Sequence, residues 1–157
     1  MAKHDNWQTP PALFDALRAE FDFTLDAAAS AENALLDNYI TAEQDALVTP
    51  WRAASVYCNP PYSRLADFTL RAANEQYTYN NTVVLLVPAY TDTRWWNNYV
   101  AHCAEEIRFL VGRVRFWENG APGKAGARFP SAVVIYRPRP RGGIARTLQH
   151  SYWDWRD

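Results

Sequence analysis

Val56-Tyr57-Cys58-Asn59-Pro60-Pro61-Tyr62-Ser63 carries an apolar run straight into a stiff polar turn. Pro60 keeps Asn59 out of the helical region, and Pro61 does the same to Pro60. Neither proline has an N–H to give to a sheet. The strand therefore stops at Cys58, and the backbone stays extended beyond its carboxyl end. In open α/β sheets that end is where ligands bind. Asn59 offers a side-chain carbonyl there, Pro60 a backbone carbonyl, and Tyr62 a flat face. Two acceptors beside a ring suit a planar amine, whose hydrogens go to the acceptors while its face stacks on the ring. The same residues also suit a plain Pro-Pro turn with Tyr62 packed beneath it, and four residues alone leave both readings open.

Downstream, Ser63 reads as the cap of a helix with Leu65, Phe68, Ala72 and Ala73 on its apolar stripe. Thr82 to Pro88 is a continuous β-branched and aliphatic run, the pattern of a buried parallel strand that Pro88 ends. Thr91 or Asp92 is placed to cap a helix carrying Trp95, Trp96, Tyr99, Val100 and Cys103. Ile107 to Phe116 and Ser131 to Tyr136 read as two more strands, joined by the glycine-rich stretch from Trp117 to Arg128. That stretch is long for a hairpin loop, and long loops are often functional. After Tyr136, Arg137-Pro138-Arg139-Pro140-Arg141-Gly142-Gly143 reads as an extended basic tail, whose aromatics Tyr152, Trp153 and Trp155 need somewhere to dock.

Upstream, Thr9 reads as an N-cap and Pro10 as the first residue of a helix ending near Glu20. Phe21-Asp22-Phe23-Thr24-Leu25-Asp26-Ala27-Ala28-Ala29-Ser30 reads as a short strand and then a turn into a second helix that Ser30 caps and Asn33 to Asn38 complete. Such a turn presents free N–H groups and the positive end of a helix dipole. It contains no glycine, but alanine still allows close approach where φ is negative. The segment between Asp26 and Asn59, with only Tyr39-Ile40-Thr41 as an extended piece, is short for a complete strand–helix unit. Alternating helices and strands in this order predict an α/β fold with a doubly wound, mainly parallel sheet.

A chain of 157 residues predicts one domain, with residues 138–157 as a basic and aromatic tail. No apolar run approaches the roughly 20 residues of a membrane helix, and Met1 to Trp7 holds no apolar signal region. Cys58 and Cys103 lack metal or redox spacing and read as buried free thiols in a reducing cytoplasm; none of the three histidines has ligand spacing. The net charge of −1 conceals an asymmetry. Residues 1–50 carry two basic and nine acidic side chains, residues 51–107 four and five, and residues 108–157 ten and three. That distribution suits a protein holding a cation at one end and a polyanion at the other, and equally a solvated basic face.

The central turn resembles the Asn/Asp-Pro-Pro-Tyr motif of amino-group methyltransferases that use S-adenosylmethionine. Trp7-Gln8-Thr9-Pro10 is similar to the cofactor-side motif of adenine methyltransferases in which that motif comes first. Asp45-Ala46-Leu47 is similar to an Asp-x-Leu that meets the cofactor's adenine ring. With Phe23 to Ala29 and Gly112-Arg113-Val114-Arg115-Phe116, these stretches resemble the small phage and prophage DNA N-6-adenine methyltransferases from Asn6 to about Pro138. The resemblance implies a compact Rossmann-like methyltransferase fold with a C-terminal antiparallel hairpin. It implies a catalytic group of Asn59, Pro60, Pro61 and Tyr62. It places S-adenosylmethionine against Trp7, Thr9, Pro10, Asp26, Ala27, Ala28, Asp45 and Asn59, with no metal. It places DNA against Arg113, Arg115, Phe116, Lys124 and Arg128, and its target adenine must be flipped out of the duplex. No separate recognition domain follows the core, so sequence choice falls to the 117–128 loop, to other insertions or to the partner in a homodimer. Two alternatives stay open. Any planar amine fits such a pocket, so an RNA base or a protein glutamine is a candidate substrate. The glycine-free turn also fits a DNA-binding module of the same fold without catalysis.

Overall fold

The computed structural model describes residues 4–140 and 147–157. Arg141-Gly142-Gly143, the end of the expected basic stretch, lie outside them. Helix α1 spans Pro11–Phe21 and α2 spans Leu65–Tyr79. The strands are β1 (Leu25–Asp26), β2 (Ser55–Cys58), β3 (Thr82–Pro88), β4 (Glu106–Leu110), β5 (Trp117–Glu118), β6 (Ala121–Pro122), β7 (Ser131–Tyr136) and β8 (Gln149–Trp153). Six of them form one sheet in the order β1-β2-β3-β7-β4-β8; β5 and β6 pair separately. Neighbours run parallel at β1–β2, β2–β3 and β4–β8, while β7 runs antiparallel to both β3 and β4. All the other strands of this sheet therefore share one direction.

Strands β2 and β7 are buried at every position and β3 at all but its first. Val56, Cys58, Val83, Leu85 and Val134 face α2 and a π-helical turn at Trp96–Ala101. Tyr57, Val84, Leu86, Val133 and Ile135 face Leu13, Phe14 and Leu17 of α1, together with Phe116 and Phe129. Cover on both faces is why these strands read as continuous apolar runs. Both helices end on a left-handed residue: Asp22 (φ 49°) bonds back to Arg18 and Asn80 (φ 50°) to Gln76.

Several local expectations give way to tertiary bonds. Thr9 is not the cap of α1. Pro10 stands there, and the Thr9 hydroxyl shares a 2.5 Å hydrogen bond with the Tyr57 hydroxyl. Ser63 does not cap α2, because its N–H and O–H both go to Asp5; the chain enters α2 through a 3-10 turn at Tyr62–Arg64. Thr93, rather than Thr91 or Asp92, accepts the Trp96 N–H at the start of the π-helical turn. The helix expected after Ser30 does not form. Asn33 accepts the Ser30 N–H and Asp26 the Leu35 N–H, so side chains take the donors a helix would use. Phe21 belongs to α1, leaving β1 two residues long. Tyr39 makes a single parallel bridge to Asp26, all that remains of the shortened strand–helix unit.

The C-terminal part departs furthest. Gly112, at φ 77°, turns the chain after Leu110, so β4 does not continue to Phe116. The long loop holds a two-residue hairpin turn, Asn119-Gly120, with φ of 51° and 76°. The antiparallel pair is β4 with β7, and the expected tail supplies β8 on its far side. Trp153 and Trp155 are half-buried against the α1 face, whereas Tyr152 is 82% exposed. Cys58 is buried and Cys103 only half-buried; neither is joined in a disulfide.

Arg108 of β4 ties α1 to the sheet, bonding Glu20 at 2.6 and 2.7 Å and Glu106 at 2.9 Å. Arg137 adds a 2.8 Å bond to Glu106. The Arg108 hydrogen bond holds the Glu20 carboxyl below its ordinary value near 4.5, against a smaller opposing effect of burial. Burial pushes Glu106 up, but bonds from Arg108 and Arg137 outweigh it and leave that carboxyl lowered. Depressed carboxylates stabilise the fold above their unfolded pKa, and the contribution is lost as pH falls through the folded one. Arg108→Ala should therefore cost about 2 kcal/mol at pH 7, less than a fully buried pair because Glu20 is 43% exposed. The deficit should shrink toward pH 3 in denaturant titrations; an equal deficit at both pH values would contradict this role.

Candidate active site

Strands β1 and β2 end side by side, with Asp26 opposite Tyr57, and Ala27 N–H extends the ladder to the Tyr57 carbonyl at 2.9 Å. Beyond these two carboxyl ends lies an open cleft enclosing about 350 Å³, its solvent-filled mouth included. Asp26, Ala28, Asn33 and Leu35 form one wall, Tyr57 and Asn59 the floor, and an N-terminal arm (Asp5, Trp7, Gln8 and Thr9) the other wall.

Asn59 sits where the Pro-Pro turn leaves β2. Its Nδ2 donates to the Trp7 carbonyl at 2.9 Å, while its Oδ1 is buried without a partner. An unpaired buried acceptor costs about 1–3 kcal/mol, so it calls for a functional explanation. Pro61 is extended (φ −61°, ψ 125°) and its carbonyl takes the Arg64 N–H. The Tyr62 ring stands edge-on to Phe116 at 6.0 Å and to Phe129 at 5.6 Å. Burial raises the pKa of Tyr57, Cys58 and Tyr62 well above their ordinary values, so all three stay neutral at pH 7.

Asp26 is 3% exposed. Burial pushes its carboxyl up to about 6, against the N–H groups of Leu35 and Ala28, which pull it down. A carboxyl so placed favours a cation at the cleft, because a neighbouring positive charge restores its charged form.

The hairpin of β5 and β6 closes the far side. Gln8 exchanges two backbone hydrogen bonds with Trp117, at 2.8 and 2.9 Å, and Trp7 Nε1 donates to Glu118 at 2.7 Å. Gly123 N–H reaches the Phe116 carbonyl at 2.8 Å; a Cβ there would meet that same oxygen at 2.7 Å, so only glycine lets the loop lie flat. Arg113, Arg115, Lys124 and Arg128 are exposed. Arg115 Nε donates to the Gly123 carbonyl, and among the described residues Arg115 pairs with no carboxylate. Phe116 is buried and stacks on Trp7 at 5.0 Å, so it backs the arm that lines the cleft instead of facing solvent.

The structure thus gathers Trp7, Thr9, Asp26, Ala28 and Asn59 around one cleft. Pro10 and Ala27 are buried and do not line it. Asp45 stands apart: it adopts φ 56° and its Oδ1 accepts the Leu47 N–H at 3.0 Å, so its carboxylate serves a local turn. Sequence reading missed Asp5, Gln8, Asn33, Leu35 and Tyr57 as lining residues. Strand alternation carries a signal for Tyr57 alone, since it points away from Val56 and Cys58. Among the described residues no group of His, Cys, Asp and Glu could hold a metal ion.

Comparison with known proteins bears on the same span. The family described as DNA N-6-adenine-methyltransferase (Dam) matches residues 1–153. A DNA N-6-adenine-methyltransferase of Haemophilus phage HP1 (strain HP1c1) is 30% identical over 151 residues, covering 94% of this chain and 86% of that protein. One of Escherichia phage T1 is 35% identical over 164 residues, covering 93% of this chain and 68% of that protein. The match runs from the N-terminal arm through the Asn-Pro-Pro-Tyr turn to the last residue of β8, and the chain belongs to the DNA N-6-adenine-methyltransferase family.

Proposed function

We propose that the chain methylates the N6 amine of an adenine flipped out of DNA, using S-adenosylmethionine bound in the cleft, on a compact, doubly wound Rossmann-like methyltransferase fold. One observation carries this reading: the buried, unpartnered Oδ1 of Asn59 at the end of β2. Trp7, Thr9, Asp26, Ala28 and Asn59 would hold the cofactor, which suits the cleft because Asp26 and Asp5 favour its positive charge. When bound, it supplies a methyl group already activated on a sulfonium. Asn59 Oδ1 and the Pro60 carbonyl accept the two hydrogens of the adenine amine. That frees the nitrogen lone pair from the ring and aims it along the transfer axis. Positive charge gathers on the nitrogen during transfer, and the same two oxygens stabilise it. Tyr62 stacks on the base. Arg113, Arg115, Lys124 and Arg128 hold phosphates, and the hairpin beside them contributes to target choice. Among the described residues no helix is long and apolar enough to cross a membrane. The proposed setting is the cytoplasm of a bacterial host.

Asn59→Ala should lower turnover about 100-fold or more, with cofactor affinity within a few-fold, because the Asn59 carbonyl acts on the reacting amine. Near-normal turnover would overturn the mechanism. Competition among DNA, RNA and a glutamine peptide for labelled methyl groups should end with DNA labelled; label on either rival instead would overturn the substrate assignment.

Asp26 gives the cofactor a pH dependence. Its raised folded pKa means that the stability it contributes is full below about 4 and is lost as pH rises through about 6. A cationic ligand reverses that preference. Cofactor affinity should therefore fall about tenfold per pH unit below pH 6, and Asp26→Asn should flatten the profile. Titration calorimetry between pH 5 and 8 checks this, and a flat wild-type profile contradicts it.

Replacing Lys124 and Arg128 with Ala should weaken DNA binding and reduce the slope of log affinity against log salt by about 0.9 for each phosphate left without its cation. Arg115→Ala should cost turnover while leaving the melting temperature nearly unchanged, since among the described residues its side chain serves no internal ion pair. An unaltered salt slope with a large fall in melting temperature would return these residues to the scaffold.

A further inference from the structure

We propose that the N-terminal arm, Asp5 to Gln8, is a strap that sets the orientation of the Asn59 carboxamide and so commits this chain to Asn, and not Asp, ahead of Pro60. The inference rests on the methyltransferase reading above and adds a positioning role to it. A backbone carbonyl can only accept a hydrogen bond. The Trp7 carbonyl lies 2.9 Å from Asn59 Nδ2, so the atom facing it must be a donor. With nitrogen there, Oδ1 is the atom left buried and unpartnered. A flipped amide would set oxygen against oxygen and turn a donor toward the incoming amine, whose hydrogens need an acceptor.

The Trp7 carbonyl owes its place to anchors on both sides. On one side Asp5 receives the Ser63 N–H at 3.0 Å and the Ser63 O–H at 2.7 Å, clamping the residue that follows the Pro-Pro-Tyr turn. On the other side Gln8 pairs with Trp117, and the Trp7 indole stacks on Phe116 and donates to Glu118. The arm touches both the catalytic turn and the hairpin, and its carbonyl polarity is fixed by the backbone.

An aspartate carboxylate at position 59 has no donor for that carbonyl. Its second oxygen would face another oxygen at hydrogen-bond distance. Protonation restores the missing donor, because the acid O–H can then bond Trp7 and leave the other oxygen for the amine. Asp5 and Asp26, the other carboxylates lining the cleft, raise the pKa of a carboxyl introduced there, while Tyr57, Cys58 and Tyr62 are neutral. The carboxylate form of the motif, workable where nothing constrains the side chain, is thereby excluded at neutral pH in this chain.

The test measures single-turnover methyl transfer from pH 5 to 8.5 with saturating S-adenosylmethionine and adenine-containing DNA, each variant normalised to wild type at the same pH. Asn59→Asp should match Asn59→Ala at pH 8 and recover about tenfold per unit as pH falls, as titration of one group requires. Asp5→Ala should lower kcat several-fold at saturating cofactor while KM for DNA stays within about twofold, with circular dichroism showing a folded protein. A profile of Asn59→Asp without recovery at low pH, whether active or dead throughout, overturns the strap, as does wild-type kcat in Asp5→Ala. Wild-type turnover in Asn59→Ala is a different result and overturns the methyltransferase reading itself.

Discussion

The amide of Asn59 gives its donor to the Trp7 carbonyl and keeps its acceptor buried and unpaired. Almost every feature around it works toward that state. The prolines stop β2 one residue earlier, so the side chain emerges where the sheet ends. Parallel pairing of β1 with β2 brings Asp26 to the same edge. Helix α2 follows the turn directly and buries Leu65, Phe68 and Ala72, which anchors the turn to one face of the sheet. Truncating an ordinary core side chain would weaken this protein, whereas the proposed role of that single acceptor is one of chemistry and not of fold.

The cleft and the basic hairpin meet at Trp7. Its backbone carbonyl accepts from the Asn59 amide, its ring stacks on Phe116, and its indole N–H bonds Glu118. Phe116 in turn touches Tyr62 edge-on. The cleft proposed for the cofactor and the hairpin proposed for DNA are thus joined through a few aromatic residues. A chain this short can carry both because the β5–β6 hairpin folds back across the N-terminal arm. The charge asymmetry of the sequence follows that division, with Asp5 and Asp26 at the cleft and exposed Arg113, Arg115, Lys124 and Arg128 along the hairpin.

The central strands and both main helices were legible because burial on two faces leaves continuous apolar runs, and Pro60, Pro61 and Pro88 mark their ends. Asn59, Asp26, Thr9 and Trp7, expected at a site because each sits beside such a boundary, do line one cleft. Capping was not, since Thr9 and Ser63 look like caps locally but find partners 48 and 58 residues away. Strand β8 escaped because it is a polar, exposed edge strand with no alternating pattern to read. Asn119-Gly120 did carry a local signal for a tight hairpin, masked by the length of the glycine-rich stretch around it. Asp5 could not have been found: it acts through Ser63, and nothing local in either residue announces the pairing. Asp45 shows the converse, a residue whose motif pointed to the cofactor while its carboxylate closes a turn.

The central claim is that a planar amine of DNA is held at Asn59 and that the amine belongs to adenine. Cytosine also carries an exocyclic amine and would present the same hydrogens to the same two oxygens, so product identity is the decisive observation. DNA treated with the purified protein and isotopically labelled S-adenosylmethionine can be digested to nucleosides and analysed by mass spectrometry. The account predicts label in N6-methyldeoxyadenosine alone. Label in N4-methyldeoxycytidine, or unlabelled DNA from protein that binds the cofactor, would contradict it.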